Sequence, residues 1–363
     1  MIDFDKVLLK AIEAKASDVH LLKDMRPIYR VNRKLISDTE ADILTEKDLH
    51  DAFHYFTRNN DGAKKAFETE NKLDMNYEYA ESRFRVNISK ASGSYTFTAR
   101  LVRNELPRFS DLGLPEIVKR LSFLPQGLIL VTGKSNTGKT TTLNTLVNEI
   151  NQTENKKILM LENPIEFVHK PNKSLIVQKE VGIGKDCNTF DEGVVNALRE
   201  DCDVLIIGEI RDKDTMEAAI DMAESGHLVI GTMHTKSASE TVDRALNFFE
   251  VSDQMQIKHV LASVLKAVVT QRLIPGKRNN LVMVPEIMIV DDTIAGLMRK
   301  EKFSKSEIED AIQSRSERGN ISFINSLANA VLKNKIDIHQ AYAQIDDVGR
   351  ESLNRVLKQL KGV

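Results

Sequence analysis

Tryptophan is absent from the 363-residue chain and cysteine nearly so, Cys187 and Cys202 being the only two. Two cysteines exclude a disulfide framework and a four-cysteine metal site. No excess charge of one sign exists either: 51 Lys and Arg stand against 53 Asp and Glu, a formal net of −2. That balance exerts no general pull on nucleic acid, which argues against a nucleic-acid translocase and for no nucleic-acid partner. No apolar run reaches the roughly 18 residues of a membrane-spanning helix, so no direct membrane insertion is expected. The opening Met1-Ile-Asp-Phe-Asp5 lacks the basic flank and apolar stretch of a signal peptide, which predicts a cytoplasmic protein. Hydrophobic residues at 41% and charged residues at 29% are an ordinary balance for a folded chain, long enough for two domains and a C-terminal appendage.

Periodicity divides the chain. Val7, Leu8 and Ile12 share a face of a helix expected from Phe4 to Ala14, Ile28–Leu35 reads as a strand, and Thr45–Phe56 as another helix. In Arg83-Phe-Arg-Val-Asn-Ile88 the apolar Phe84, Val86 and Ile88 alternate with Arg83, Arg85 and Asn87. A turn at Ala91–Ser94 leads into a second strand, Tyr95–Val102, and the pair predicts a hairpin in a small α+β domain. The segment around Pro107 has little periodicity and reads as a linker, 106–111.

Beyond it the apolar runs stop alternating. Gly127–Thr132, Ile158–Leu161, Val204–Ile207 and Leu228–Ile230 have the character of buried parallel strands. Helical stretches separate them. Two begin as capping boxes, at Thr189 with Glu192 and at Ser237 with Glu240, and a third ends at Gly226. Strands alternating with helices imply a doubly wound α/β domain over 112–290, and the charged remainder, 291–363, reads as helical.

Gly133-Lys134-Ser135-Asn136-Thr137-Gly138-Lys139-Thr140 fits the phosphate-loop pattern at every fixed position, after an apolar strand and before the helix that Thr141 continues. Glycines let the backbone wrap phosphates, the helix adds the positive end of its dipole, Lys139 is placed for the β- and γ-phosphates, and the Thr140 hydroxyl for Mg²⁺. ATP and Mg²⁺ are therefore the expected ligands. Asp203–Glu209 is an apolar strand ending in a carboxylate, at the sheet edge where ligands bind, and Glu209 suits Mg²⁺, partly through water. Leu161-Glu162-Asn-Pro-Ile-Glu166 supplies two more carboxylates able to activate a water, and spacing does not choose between Glu162 and Glu166. His227 and His234 flank one apolar strand, where a histidine can hydrogen-bond a phosphate or report its loss. No further histidine or cysteine lies at zinc-ligand spacing.

Taken in order, the phosphate loop, Glu162–Glu166, Asp203–Glu209 and Gly226–His234 resemble the secretion-ATPase superfamily, with its Asp box, Walker B and His box. The resemblance is closer to the PilT-type ATPases that retract type IV pili, through Ala16-Ser-Asp-Val-His20, Arg83–Asn87 and Ile312-Gln313…Gly319…Leu327. It implies a RecA-like P-loop ATPase domain, an N-terminal PAS-like α+β domain over 1–105 and a C-terminal helical region. Glu166 becomes the catalytic base, Glu209 the Walker B glutamate, and His227 and His234 the two His-box residues. Arg83, Arg85 and Arg100 match arginines that reach the nucleotide, and Arg100, on the polar parity of its strand with Thr96 and Thr98, is expected to be free to do so.

The resemblance further implies a homo-hexamer that acts on a polytopic platform protein of the inner membrane, from its cytoplasmic face, with a paralogous retraction ATPase as a further partner. Three positions depart from the pattern: Asn163 replaces an aspartate, Cys202 a proline, and Thr293-Ile-Ala295 follows the C-terminal signature only loosely. Motors for pilus assembly, type II or type IV secretion are the rival functions, and an ATP-binding subunit without turnover is a rival of another class.

Overall fold

The structure, a computed structural model, describes residues 2–31, 34–58, 60–80, 82–102, 106–278 and 280–361. The chain forms two compact units, Met1–Glu105 and Leu106–Val363.

In the first unit, α1 (Phe4–Glu13) starts where the Asp3 carboxylate accepts the Lys6 N–H, and it buries Phe4, Val7, Leu8 and Ala11. Next in the chain come β1 (Asp18–Leu21), β2 (Ile28–Val31), β3 (Lys34–Ser37), α2 (Glu46–Thr57), α3 (Asp61–Glu70), β4 (Lys72–Tyr79), β5 (Ser82–Ala91) and β6 (Ser94–Val102). A reciprocal capping box between Thr45 and Asp48 opens α2. The strands form a six-stranded antiparallel sheet in the order β3-β2-β1-β6-β5-β4. Phe84, Val86 and Ile88 are fully buried among the helices, whereas Arg83, Arg85 and Asn87 are half-buried on the other face. One run differs from expectation. Ile28–Leu35 is not a single strand, because Lys34 returns opposite Val31 and Leu35 opposite Arg30. No Gly or Pro interrupts that run, and Asn32 is its one residue of turn-favouring type.

The second unit contains α4 (Glu116–Leu121), β7 (Gly127–Thr132), α5 (Lys139–Thr153), β8 (Lys157–Glu162), β9 (Leu175–Glu180), α6 (Phe190–Ala197), β10 (Val204–Ile207), α7 (Lys213–Glu224), β11 (Leu228–Met233), α8 (Ala238–Leu246), α9 (Gln254–Val264), β12 (Leu265–Pro275) and β13 (Leu281–Ile289). Its seven-stranded sheet runs β13-β12-β7-β11-β10-β8-β9, parallel except for the antiparallel β12–β13 edge. Burial explains why these strands do not alternate in sequence. Leu205, Ile207 and Val229 pack into one core with α6–α9, while Val204, Ile206 and Ile230 pack into another with α4 and α5. A strand covered on both faces is apolar at every position. β9, β12 and β13 escaped the sequence reading.

Only half of each expected capping box forms in this unit. Thr189 and Ser237 do accept the N–H of Glu192 and Glu240, but the two glutamates reach Asn188 and Lys236, one residue before the cap. The C-terminal segment is helical: α10 (Asp292–Met298), α11 (Lys305–Ser314), α12 (Phe323–Leu332), α13 (Ile338–Tyr342) and α14 (Asp347–Lys361). It belongs to the same compact unit as the sheet, with Leu327 of α12 and Leu353 of α14 packed on Ile274, Val282 and Val284. Among the described residues no helix is long and apolar enough to cross a membrane.

Candidate functional site

Strands β7, β11, β10 and β8 are contiguous and parallel, so the segments beyond their last residues emerge at one edge. That is where the phosphate loop, His234, Glu209 and the Glu162–Glu166 segment lie. They meet in a cavity of about 240 Å³ lined by Ser135, Asn136, Lys139, Thr140, Glu162, Asn163, Glu166, Glu209 and His234, among others.

Backbone conformation makes the loop. Gly133 has φ +144°, and a Cβ there would stand 2.5 Å from the Gln271 carbonyl oxygen and 2.6 Å from Thr137 Oγ1. Gly138, the cap of α5, has φ +87°. Between them Thr137 Oγ1 donates to the Lys134 carbonyl, and Lys139 Nζ donates to the carbonyls of Gly133 and Lys134 at 2.9 and 3.0 Å. The lysine is buried, which pulls its pKa below the usual value against the opposing effect of Glu209. Gly133, Lys134 and Thr137 thus frame the loop, Thr141 continues α5, and Ser135, Asn136, Lys139 and Thr140 face the cavity.

The carboxylates differ in setting. Glu162 is buried, and its Oε1 accepts from Gln178 Nε2 at 2.8 Å. Glu166 is exposed on the cavity wall. Glu209 Oε1 lies 3.5 Å from His234 Nε2. His227 is not brought in. It precedes β11, whereas the cavity lies past its other end, and six residues of strand span about 20 Å. Its Nδ1 is 2.8 Å from Ser225 Oγ and 3.2 Å from the Met222 carbonyl oxygen.

Arg83, Arg85 and Arg100 belong to the first unit. Arg85 and Arg100 are opposite one another on β5 and β6, and Asp18 is opposite Arg100 on β1. The expectation that Arg100 is free requires correction, since its Nε donates to Asp18 Oδ1 at 2.8 Å, although the side chain is 65% exposed. β1 was visible only as a motif, and its pairing with β6 supplies the partner. Burial pushes the Asp18 carboxyl upward, but hydrogen bonds from Arg100 and Ser17 outweigh it and hold the carboxyl below the usual range.

The sequence reading also missed Asn144 and Thr232, which line the cavity. Asn144 had a signal, one helical turn beyond Thr140. Both cysteines are buried, and burial pushes the Cys202 thiol up to about 11, which leaves it inert.

The composition of the site fits Mg²⁺. Among the described residues no three His, Cys, Asp or Glu side chains form a metal cage. Mg²⁺ needs none, because it commonly takes one or two protein oxygens together with phosphates and waters, and Thr140 and Glu209 share this cavity.

Comparison with known proteins locates the chain. Residues 1–358 match the family model described as type II/IV secretion system protein. The type IV pilus retraction ATPase PilT of Pseudomonas aeruginosa is 34% identical over 340 residues, covering 93% of this chain and 97% of that protein. A twitching motility protein of Neisseria gonorrhoeae is 34% identical over 274 residues, 75% of this chain and 72% of its own length. A crystal structure of the pilus retraction motor PilT with bound ADP superposes with a TM-score of 0.90 at 30% identity, covering 98% of this chain and all of that one.

Proposed function

The chain belongs to the type II/IV secretion system protein family, and from that premise we propose that it is a PilT-type motor, an ATPase whose turnover retracts a type IV pilus. One observation carries the chemistry: a phosphate loop, carboxylates at or just past the ends of two further strands and a histidine share one cavity at the carboxyl edge of a parallel sheet.

In this reading Lys139 exchanges its carbonyl partners for the β- and γ-phosphate oxygens, which a buried ammonium binds strongly. Thr140 and Glu209 would hold Mg²⁺, which would supply neutralisation of phosphate charge. Glu166, exposed on the wall, accepts the proton of the attacking water. Glu162 is the weaker candidate because it is buried, whereas Glu166 is exposed to the cavity. His234, beside Glu209, hydrogen-bonds the γ-phosphate side of the site. Arg83, Arg85 and Arg100 are proposed to bind nucleotide phosphate, so that loss of the γ-phosphate removes a partner of these guanidiniums. His227 would act outside its own chain's cavity, toward a neighbouring subunit.

The assembly proposed is a homo-hexamer at the cytoplasmic face of the inner membrane, docked on a polytopic platform protein and assisted by a paralogous ATPase. The end-to-end similarity to PilT supports retraction rather than assembly. Phosphate release by the purified protein tests turnover, and light scattering tests the ring, expected near six times the chain mass. Deleting the gene tests direction: abundant, non-retracting pili are expected, and absent pili would assign the motor to assembly.

A further inference from the structure

The segment that carries Glu166 is not a loosely held turn. Between β8 and β9, it is tied at successive points to its neighbours by side-chain amides. Gln178 of β9 donates through Nε2 to the Phe167 carbonyl at 2.6 Å and accepts the His169 N–H through Oε1 at 2.9 Å. The same amide donates to Glu162 Oε1. On the other side, Asn144 of α5 faces the His169 ring, with Oδ1 2.7 Å from Nε2, while its Nδ2 donates to the Thr140 carbonyl at 2.9 Å. Two turns along α5, Asn151 Nδ2 donates to the Lys170 carbonyl at 3.0 Å and its Oδ1 accepts the Asn172 N–H at 2.9 Å.

The donor pattern is directional. Asn144 spends its NH₂ on Thr140, so its oxygen faces the histidine and His169 donates through Nε2. His169 and Asn144 are 8% and 1% exposed, so this bond is shielded from competing water. Burial alone pushes the His169 pKa down to about 4, and the ring stays neutral through the physiological range. A continuous chain therefore runs from Thr140, at the phosphate loop, through Asn144 and His169 to the backbone three residues past Glu166.

We infer that His169, Asn144 and Gln178 are positioning residues that hold the Glu166 carboxylate at a set distance from the phosphate loop. None of them is required to touch the nucleotide. The inference rests on Glu166 being the base proposed above. Its physical basis is that general-base catalysis demands hydrogen-bond distance to the water, and a misplacement of about 1 Å can cost on the order of 10²-fold in rate. Nucleotide binding rests on the phosphate loop itself and does not depend on this chain of bonds.

The test is steady-state ATP turnover and ADP affinity on the full-length protein. His169→Ala is expected to lower kcat roughly 10- to 100-fold with KM and ADP affinity within about twofold of wild type. His169→Gln keeps an N–H donor at similar reach and should recover most of that loss. Asn144→Ala should lose at least as much as His169→Ala, since it also removes the bond to Thr140, and the double variant should be no worse than Asn144→Ala, since the His169–Asn144 bond is already gone. Adding His169→Ala to Glu166→Gln should change nothing. If His169→Ala does not fold, Gln178→Ala carries the same expectation. Wild-type kcat in the folded variants overturns the inference, as does a rise in KM that accounts for the loss, or equal loss in His169→Gln. Wild-type turnover in Glu166→Gln overturns the assignment of the base instead, and the two failures are thus told apart.

Discussion

The two sheets use their surfaces in opposite ways. The parallel sheet of the second unit is covered on both faces and places its chemistry at one edge, where four strands end. The antiparallel sheet of the first unit is covered on one face and carries arginines on the other, at alternate positions. A buried carboxylate in each unit responds to this difference. Asp18 is 6% exposed and Glu286 of β13 is 7% exposed. Arg100 and Ser17 together more than offset the burial of Asp18. Glu286 accepts the Ala238 N–H at 2.8 Å and feels Arg272, yet burial dominates, with Glu309 adding to it, and its pKa rises to about 7. A face that borders water can bring a guanidinium to its carboxylate, whereas the interior of the second unit leaves one protonated near neutrality.

The strongest break of this comparison is in the phosphate loop. Lys139→Ala should abolish nucleotide binding and bring turnover to background, because the phosphate charge loses its buried partner. Fluorescent ADP titration and phosphate release would show it, and retained binding would remove the loop from the site. Next in size, Glu166→Gln should keep ATP binding and lower turnover about 10²–10⁴-fold. If Glu162→Gln were the inactive variant and Glu166→Gln active, the buried carboxylate would be the base.

Arg100→Ala probes the other sheet. A guanidinium supplied to a phosphoryl transition state is worth roughly 10³-fold or more, but Asp18 already engages one nitrogen of this fork, so a loss of about 10- to 100-fold is expected. Arg100→Lys should rescue little, since the ammonium lacks the planar fork. A simple surface arginine predicts wild-type rates in both, with only a lower melting temperature from the stranded Asp18.

The smallest effect sharpens the contrast between the carboxylates. Glu286 binds its proton more tightly folded than unfolded, so stability falls as pH rises from about 4.5, the ordinary value, to about 7. Asp18 has the opposite sign, its contribution being present above about 3.8 and lost on acidification. Glu286→Gln should therefore melt a few degrees higher than wild type at pH 8, and the difference should vanish near pH 5. Parallel melting curves at all pH values would mean that Glu286 is not the titrating group.

Legibility tracked these surfaces too. Continuous apolar runs announced β7, β8, β10 and β11, and the residues just beyond them were named as candidates because a parallel strand delivers its last residue to the ligand edge. Runs of mixed character, such as Asp18–Leu21 and Leu175–Glu180, were missed as strands, since only their pairing partners make them so. Spacing alone left Glu162 and Glu166 as alternatives for the same reason: it places both glutamates near the site, and their difference in burial belongs to the fold.

By itself the amino-acid order determined what is local. It set the phosphate loop through glycines whose backbone conformations other residues resist, the amphipathic hairpin through its alternation, and the identity of every candidate group. The order of the strands, and hence which groups meet, was decided only in three dimensions. His234 reaches Glu209 because β10 and β11 are neighbours, His227 is excluded because it lies at the wrong end of β11, and Asp18 finds Arg100 across 82 residues of chain. His169 meets Asn144 the same way, 25 residues apart, because helix and sheet pack at one edge. Such contacts depend on which surfaces bury one another, a property of the whole fold that no window of sequence contains.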